Sequence, residues 1–556
     1  MNQLRPKLFS VMKNYTKEQA IKDVVAGIIV AIIALPLSIA LGIASGVTPN
    51  EGIYTAIIAG FIISFLGGSR VQIAGPTAAF ATIVAGIRAE NGMDGLIWAT
   101  IIAGILLMIM GFCQLGSLIR FIPYTITEGF TLGIAITLLI GQVKDFLGLK
   151  FTTTPIETVD KVKAIASSIS TINYTALLIG ILSLAILVIW PKFFKKIPSS
   201  LIAVVVCAAI VKIGNLNVVT IGNSVSSSLP TFHIPAVDYK TIRNILPDAF
   251  TIAILAAIES LLSCVVADGM IGSKHNSNME LVAQGVGNTA SALFGGIPAT
   301  GAIARTAANI KNGGRTPIAG MVHAVTLLIV LVVLMPYAAL IPMPTIAAIL
   351  FVVAYNMSGI KACKHLLKSS PKSDIAVFVT TLVLTVVFDL VVAIVVGIVL
   401  ACILFMKRMA DVTEVSSWVY VDENHKEQAE EDDNEENDPE YIGYKEVPKN
   451  TLVYEITGPI FFGASEEFTN IVFSEKHDVL ILRMRSVPAI DTTGMNALVD
   501  LYKKCKKDHV TLVLSHVNEQ PMRAMKKAGF DKTVGEDNIL VNIDAALARA
   551  KQIVEA

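Results

Sequence analysis

The chain contains 556 residues, of which 54% are hydrophobic and only 16% are charged, and its formal net charge is zero. A soluble protein usually carries roughly 25% charged residues, so the composition favours a membrane protein over a soluble enzyme. The zero net charge argues against nucleic acid as a partner. The six cysteines are scattered without metal-ligand spacing, so neither a metal site nor a disulfide framework is predicted.

Residues 1–23 precede the first long apolar run and contain five basic residues. This stretch lacks an apolar core followed by a small-residue cleavage site, which is the pattern of a signal peptide. We therefore expect a cytoplasmic amino-terminal tail.

Residues 24–408 form the predicted transmembrane domain, whose apolar runs approach the length needed to cross a hydrocarbon core of ~30 Å. The fourteen hydrophobic segments lie near 24–46, 52–67, 75–88, 95–113, 125–142, 174–190, 199–214, 245–265, 280–295, 301–310, 317–335, 342–356, 374–389 and 391–406. Basic residues are concentrated in the connections on the amino-terminal side, which places both termini in the cytoplasm. The predicted fold class is an α-helical polytopic protein of the plasma or inner membrane.

Two short segments interrupt this pattern at matching places. Fourteen spans divide into two halves of seven, and an odd number per half gives the halves opposite topology. The third segment of each half carries the interruption, Gly75–Phe80 in the first and Ala299–Asn309 in the second. Paired interrupted segments are typical of the binding site of a transporter. The sequence therefore predicts a seven-plus-seven inverted repeat with its site at these segments.

Glu259 and Arg305 are the clearest ionisable side chains within the predicted spans. A charge at membrane depth costs about 2.5–3.5 kcal/mol even on a mild insertion scale, so each needs a partner or a function. One interpretation is a buried Glu–Arg pair that fixes the packing of two spans. The other, which we favour, is a transport site in which Arg305 binds an anion and Glu259 carries the coupling ion.

The interrupted segments can form an anion pocket. A helix that begins at mid-membrane presents unpaired backbone N–H groups and the positive end of its dipole. Two such starts facing each other would bind an anion, with hydroxyl donors from Thr77 and Thr306 and a bidentate fork from Arg305. Small side chains would let an oxyanion approach the backbone. The predicted substrate-binding residues are Thr77, Ala78, Ala302, Ile303, Ala304 and Arg305.

The composition changes after Arg408. Residues 409–440 are predicted to be an acidic linker or insertion, and residues 441–556 alternate strands and helices as in a small cytoplasmic α/β domain. In this domain the run IDTTGM joins a strand to a helix. Asp491 can cap that helix, and Thr492 and Thr493 are candidate regulatory residues, because a helix start favours an added phosphate.

Three stretches of the membrane region form a specific pattern: ALPLSIALGIASGVTPNEGIYTA, then GGSRVQIAGPTAAF, then IESLLSCVVADGMIGSKHNSNMELVAQGVGN leading into FGGIPATGAIARTAANI. Through them the chain resembles the sulfate permease (SulP) family of anion transporters, along almost its whole length. Through IDTTGM the carboxy-terminal domain resembles the STAS domain of sulfate transporters and anti-sigma-factor antagonists.

The resemblance implies a core domain and a gate domain, a homodimer and an elevator-like movement, with substrate between the starts of the third and tenth spans. The combination of Glu259 and Arg305 looks most like the bacterial aerobic C4-dicarboxylate transporter, which implies proton-coupled uptake of dicarboxylates. Sulfate is an alternative substrate. Sodium-dependent bicarbonate carriers of the family have an acidic residue at the position of Glu259 and a hydroxyl near that of Ser263. Ser263 is therefore a second candidate coupling residue, with Na⁺ in place of H⁺.

Other function classes fit the sequence less well. A gated anion channel, or a sensor with the STAS-like domain as its output, would share the pocket, but paired broken helices suit alternating access better than a continuous pore. An enzyme is disfavoured because the sequence offers no nucleophile–base pair, metal cluster or phosphate loop. We expect no cofactor, and we expect the carboxy-terminal domain to regulate and stabilise transport through a cytoplasmic partner.

Overall fold

The structure is a computed structural model that describes residues 4–117, 122–152, 155, 157–194, 197–222, 225–236, 239–388, 390–411, 414–418, 445–462 and 477–556. The chain forms two compact units that divide between Val399 and Leu400. The predicted acidic stretch at residues 419–440 lies outside the described residues.

The first unit is helical apart from one short strand pair. Its elements are α1 (Lys7–Val11), α2 (Lys17–Ala44), α3 (Pro49–Leu66), β1 (Ala74–Gly75), α4 (Ala78–Phe112), α5 (Tyr124–Leu147), α6 (Thr158–Ser168), α7 (Tyr174–Phe193), α8 (Ser199–Ile213), α9 (Tyr239–Ile271), α10 (Ser277–Leu293), β2 (Thr300–Gly301), α11 (Ile303–Lys311), α12 (Ile318–Ala338), α13 (Met343–Met357), α14 (Ile360–Ser369), α15 (Lys372–Val387) and α16 (Leu390–Asp411), the last of which continues past the division.

Each of the fourteen predicted hydrophobic segments coincides with a helix of this unit. The third and fourth segments share α4, which breaks at Gly92 with φ 70° and ψ −170°. Glycine has no Cβ and adopts this conformation at little cost, so the two predicted segments form two helical parts of α4 that meet at Gly92. Within the described residues, nine helices are long and apolar enough to cross a membrane.

The helices pack as two groups that follow the inverted repeat. In the first group, α4 packs against α9 and α10, α2 and α3 pack against α12, and α11 packs against α2 and α9. In the second group, α5 packs against α13 and α15, and α7 packs against α8 and α13. The first group contains the first four segments of each half, and the second group contains α5, α7, α8, α13 and α15 from the remaining segments. This division matches the expected core and gate domains.

The helix α2 begins earlier than the sequence suggests. Residues 17–23, predicted to belong to the tail, form its first two turns, and Asp23 is fully buried. The Asp23 carboxylate accepts hydrogen bonds from the N–H groups of Arg315 (2.8 Å) and Thr316 (3.3 Å) and from the Thr316 hydroxyl (2.6 Å). These groups precede α12, where backbone donors lack helical partners. The tail therefore contributes a buried carboxylate that joins α2 to α12.

The second unit contains a five-stranded sheet. Its elements are β3 (Glu414–Trp418), β4 (Thr451–Thr457), β5 (Val479–Ser486), α17 (Thr492–Lys507), β6 (Thr511–Ser515), α18 (Glu519–Ala528), α19 (Phe530–Val534), β7 (Ile539–Leu540) and α20 (Ile543–Val554). The strand order is β3-β4-β5-β6-β7, with β3 antiparallel to β4 and the other neighbours parallel.

Strand β3 lies in the segment that the sequence analysis assigned to the acidic linker. It pairs with the last five residues of β4, from Glu414 opposite Thr457 to Trp418 opposite Val453. The sequence-based boundary at residue 441 is therefore wrong for these five residues. They contribute the antiparallel edge of the sheet, which pattern reading missed because β3 is separated from β4 by the acidic stretch.

The parallel strands are buried on both faces. Leu480 and Leu482 of β5 face a cluster with Leu498 of α17, whereas Val479 and Ile481 face Ile543 of α20. This alternation follows from the two-residue period of a strand. It explains why the sequence reads as continuous apolar runs such as VLILRMR.

Candidate functional site

The centre of the first unit is a two-residue strand pair. Ala74 lies opposite Gly301 and Gly75 lies opposite Thr300, in antiparallel register. The pairing is extended by the N–H of Ala302, which donates to the Ile73 carbonyl (2.9 Å), and by the N–H of Ile73, which donates to the Thr306 hydroxyl (3.0 Å). The two interrupted segments predicted from sequence are thus in direct contact.

Both strands lead into helices whose first turns lack a side-chain cap. Thr77 is the N-cap of α4 and Ala302 is the N-cap of α11, and neither side chain accepts a hydrogen bond from its helix. Ser, Thr, Asp and Asn are the preferred N-cap residues because a side-chain oxygen there can accept a first-turn N–H group. Here the backbone N–H groups keep their capacity to bind an external anion, and two partial positive charges lie near one strand pair.

Arg305 reaches from α11 across the strand pair. Its side chain is only 3% exposed, and its Nη2 donates to the Pro76 carbonyl just before α4. Its Nη1 is buried without a hydrogen-bond partner among the described residues. Because a buried guanidinium donor without an acceptor is costly, this nitrogen is suited to receive an anion.

Glu259 approaches the same place from α9. The Thr77 hydroxyl donates to its Oε2 at 3.0 Å. Within the described residues, Glu259 and Arg305 form no direct salt bridge; each instead contacts the segment before α4, through Thr77 and Pro76 respectively. The interpretation of these two residues as a direct structural ion pair therefore finds no support in the geometry.

A line of hydroxyl groups joins α9 to the second interrupted segment. The Ser260 and Thr300 hydroxyls lie 2.7 Å apart, and Ser260 also accepts the N–H of Gly301 at 3.1 Å. One turn further along, Ser263 donates to the Thr306 hydroxyl at 3.4 Å. Ser263 is thus close to the start of α11, although its hydroxyl already has a protein partner.

The other predicted binding residues differ in burial. Ala78 is buried and Ala302 is half-buried, whereas Ile303 is 45% exposed and Ala304 is exposed. We therefore expect Ile303 and Ala304 to contribute backbone N–H groups rather than side chains.

The sequence analysis missed a buried carboxylate, Glu280, beside this site. Glu280 is 1% exposed and accepts from the N–H groups of Gly68 (2.9 Å) and Ser69 (3.2 Å) and from the side chains of Gln72 (3.0 Å) and Gln284 (2.9 Å). It holds the chain before β1 against α10. A polar stripe at four-residue spacing, Glu280, Gln284 and Asn288, is the sequence signal that could have found it.

The sequence analysis also missed two buried polar side chains, of which the first supports a strand. Asn288 accepts the N–H of Ala299 (2.7 Å) and donates to its carbonyl (2.9 Å), which fixes the residue before β2. His323 of α12 is fully buried, and neither ring nitrogen has a hydrogen-bond partner within the described residues. A lone histidine in an apolar helix gives no periodic signal, so sequence reading could not place it.

Comparison with known proteins identifies the family. A family model described as "Sulfate permease family" matches residues 21–381, and one described as "STAS domain" matches residues 444–550. The chain belongs to the sulfate permease family. The resemblance stated from the sequence motifs is confirmed at this level.

The similar proteins are transporters. "Putative sulfate transporter YvdB" of Bacillus subtilis (strain 168) is 36% identical over 96% of this chain and 98% of its own length. "Bicarbonate transporter BicA" of Synechocystis sp. (strain ATCC 27184 / PCC 6803 / Kazusa) is 28% identical over 90% of this chain and 88% of its own. The murine Solute Carrier 26 family member A9 anion transporter, in an inward-facing structure, shares the fold at TM-score 0.86, with 19% identity and coverage of 99% and 94%.

These findings establish a multi-pass membrane anion transporter and confirm the predictions of the fold class and of a transporter rather than an enzyme. The two relatives are named for sulfate and bicarbonate. The more specific resemblance to a C4-dicarboxylate transporter therefore stays a prediction.

The close approach of Gly75 to Arg305 gives a test of the site. A Cβ at Gly75 would collide with the Arg305 guanidinium. The guanidinium would have to move away from the position where we expect it to bind the anion. Gly75→Ala should therefore weaken the apparent affinity for the transported anion at least ~5-fold, which corresponds to about 1 kcal/mol of binding free energy. The measurement is concentration-dependent uptake of radiolabelled sulfate, succinate and bicarbonate into proteoliposomes.

Gly86→Ala is the matched control for this variant. Gly86 lies in α4, the helix that follows β1, and a Cβ there would meet no atom within 4 Å. Its uptake should equal that of the unmodified protein. Equal affinity of the Gly75→Ala and Gly86→Ala variants would show that Arg305 does not act at the site.

Proposed function

We propose that this protein is a secondary active transporter that takes up a small oxyanion together with protons. The anion binds between the starts of α4 and α11, in contact with Arg305, and Glu259 carries the coupling proton. Two helix starts without side-chain caps, a buried guanidinium nitrogen with no hydrogen-bond partner in the described part of the chain, and a carboxylate converge at one strand pair. This convergence is the observation that carries the proposal.

Charge balance supports coupling between the anion and the proton. Each helix start contributes roughly half a positive charge, and Arg305 contributes one, so together they supply about +2. With Glu259 protonated, this charge balances a dianion. With Glu259 ionised, the excess falls to about +1 and a dianion is no longer neutralised. Binding of a dianion therefore favours protonation of Glu259, and loss of the proton favours release of the anion.

The Thr77–Glu259 contact suits this role because it persists in both states of the carboxyl group. A threonine hydroxyl can donate to an ionised carboxylate and can accept from a protonated one. The Glu259 carboxylate and the Thr77 hydroxyl are oxygen ligands of the kind that Na⁺, a hard cation, would accept. A sodium-coupled carrier with Ser263 as a further ligand is therefore the second candidate.

An elevator movement is supported by the location of the proposed site residues. Every proposed binding and coupling residue belongs to the first helix group, on β1 and α4, on α9, or on β2 and α11. The second helix group contributes none of them. Translation of the first group against the second would carry the anion without dismantling its ligands.

The substrate proposal is a doubly charged oxyanion, either sulfate or a C4-dicarboxylate. Sulfate is favoured by the name of the 36%-identical relative, and a dicarboxylate by the sequence motifs around Glu259 and Arg305. Bicarbonate, which carries one charge and is the substrate in the name of the cyanobacterial relative, fits the sodium-coupled alternative.

Neutralising Glu259 tests the coupling. In proteoliposomes with an imposed proton gradient, Glu259→Gln should reduce concentrative uptake by at least ~10-fold and leave exchange of external for internal anion intact. Glutamine mimics the protonated carboxyl group but cannot release a proton. The measurement is uptake of the labelled substrate with and without the gradient, with Glu51→Gln, on the neighbouring helix α3, as the control.

pH-driven accumulation by Glu259→Gln equal to that of the unmodified protein would overturn proton coupling at this residue. Accumulation that requires a sodium gradient in the unmodified protein would support the second candidate instead. Unitary currents without acceleration of uptake by internal substrate would contradict a carrier mechanism altogether.

A thermal-shift titration identifies the substrate. A ligand that binds only the native state stabilises it by RT ln(1 + [L]/Kd), so a true substrate should raise the Tm in a dose-dependent way. We expect sulfate or succinate to do so at pH 5.5 more strongly than at pH 8, and Arg305→Ala to lose the shift. A response to bicarbonate alone would contradict the dianion proposal.

We propose that the carboxy-terminal unit regulates transport and stabilises a homodimer in the plasma membrane, with both termini cytoplasmic. Asp491 caps α17 by accepting the N–H of Gly494 at 2.8 Å. Thr492 and Thr493 follow in the first turn and are exposed. A phosphate or an acidic partner could bind there without disturbing the core.

Deletion of residues 412–556 tests this division of labour. The cut precedes β3, because a cut at 441 would leave β3 without its neighbour β4 and expose an unpaired edge. The truncated protein should show a lower transport rate or less dimer in size-exclusion chromatography with light scattering. Its ratio of affinities for sulfate, succinate and bicarbonate should be unchanged, and a changed ratio would show that this unit contributes to selectivity.

A further inference from the structure

A cavity lies between the two helix groups, and its lining is far less polar than the proposed anion site. It has a volume of about 310 Å³ and is lined by α2 and α12 of the first group and by α8 of the second. Every lining side chain is apolar except Lys212 and Tyr337. We call it the seam crevice.

We propose that the seam crevice binds one acyl chain of an anionic phospholipid, with the headgroup phosphate at Lys212. The crevice cannot hold a protein helix, whose diameter with side chains is about 10 Å. It does not suit ordered water either, because a buried water needs about 2–4 polar partners and the lining is almost wholly apolar. An acyl chain from the surrounding bilayer is the occupant that its lining would accept.

The dimensions of the crevice match one leaflet. Along α8 the lining extends from Leu201 to Lys212, which at 1.5 Å per residue is about 16 Å. Half of a hydrocarbon core of ~30 Å has nearly the same depth. One acyl chain, from its ester group to its end, would therefore fill the crevice from the interface to the middle of the membrane.

The polar residues lie at the end where a headgroup would be. Lys212 is in the last turn of α8, and Tyr337 is next to the last residue of α12. Both are exposed, and Lys212 forms no salt bridge within the described residues. Lysine and tyrosine at a helix end are typical of the membrane interface, and a free ammonium group there attracts an anionic headgroup.

The position of the crevice gives the lipid a functional consequence, which rests on the proposed function. If the two groups slide past each other, an acyl chain between α8 and α2 must be rearranged in each cycle. Lipid binding itself does not depend on that movement. Binding and transport are therefore measured separately below.

Photolabelling in nanodiscs tests the site. Phosphatidylglycerol with a diazirine in its acyl chain should label peptides from residues 201–212 and 330–341 roughly fivefold more than the matching phosphatidylcholine, the factor expected from one interfacial lysine. Lys212→Gln should remove this preference and leave labelling by phosphatidylcholine unchanged. Lys144→Gln, which alters the last turn of α5 beside Phe151, should leave the preference intact.

Filling the crevice with a larger side chain tests whether an acyl chain binds in it. Ala208→Trp, or Val205→Phe if the first variant does not fold, should reduce labelling of both peptides to background without changing labelling of α16. Equal labelling by the two lipids in the unmodified protein, or unchanged labelling in the filled variant, would overturn the proposal. If a photoreactive group placed at Ala208 cross-links to another copy of this protein, and the lipid does not label the crevice, then a second copy occupies it. A failure of proton-driven uptake with intact labelling would count against the proposed function and not against this site.

Discussion

The antiparallel contact between Ala74–Gly75 and Thr300–Gly301 is the constraint on which the membrane unit depends. Backbone that leaves a helix inside the hydrocarbon region must find hydrogen-bond partners within the protein. Each interrupted segment supplies the partner that the other needs. Separating them would orphan buried backbone groups on both sides, so the two halves of the chain are held together where the anion is proposed to bind.

The buried charged residues of this unit differ in how completely their hydrogen bonds are satisfied. Asp23 and Glu280 receive several hydrogen bonds each, from backbone N–H groups and neighbouring side chains, and they fasten one element to another. Among the residues that the structure describes, Arg305 has one buried nitrogen without a hydrogen-bond partner, and Glu259 accepts a hydrogen bond from the Thr77 hydroxyl. A fully satisfied carboxylate has little left to offer a ligand, whereas an incompletely satisfied pair can exchange partners during a transport cycle.

The interior of the first helix group and the boundary between the two groups differ in polarity. The first group contains the strand pair and the buried polar network, so its interior is held by directional hydrogen bonds. The crevice between the groups is lined almost entirely by aliphatic side chains, whose contacts are non-directional. Contacts of that kind can be exchanged at low cost when surfaces slide. This distribution of polarity agrees with the proposal that the first helix group moves as a rigid body along an apolar boundary with the second group.

The sequence by itself determined the membrane class, the fourteen segments, the inverted repeat and the pairing of Glu259 with Arg305 as the unusual charges. These features follow from the composition, from the length of the apolar runs and from the glycine and proline residues that interrupt them. All of these are local properties of the sequence. The tertiary structure decided that Arg305 contacts Pro76 rather than Glu259, that Asp23 belongs to the core, that Glu280 supports the site and that β3 joins the STAS sheet. Each of these contacts except the last joins residues about 210 to 290 positions apart. Hydrogen-bond partners at such separations are set by helix packing, which no local pattern encodes.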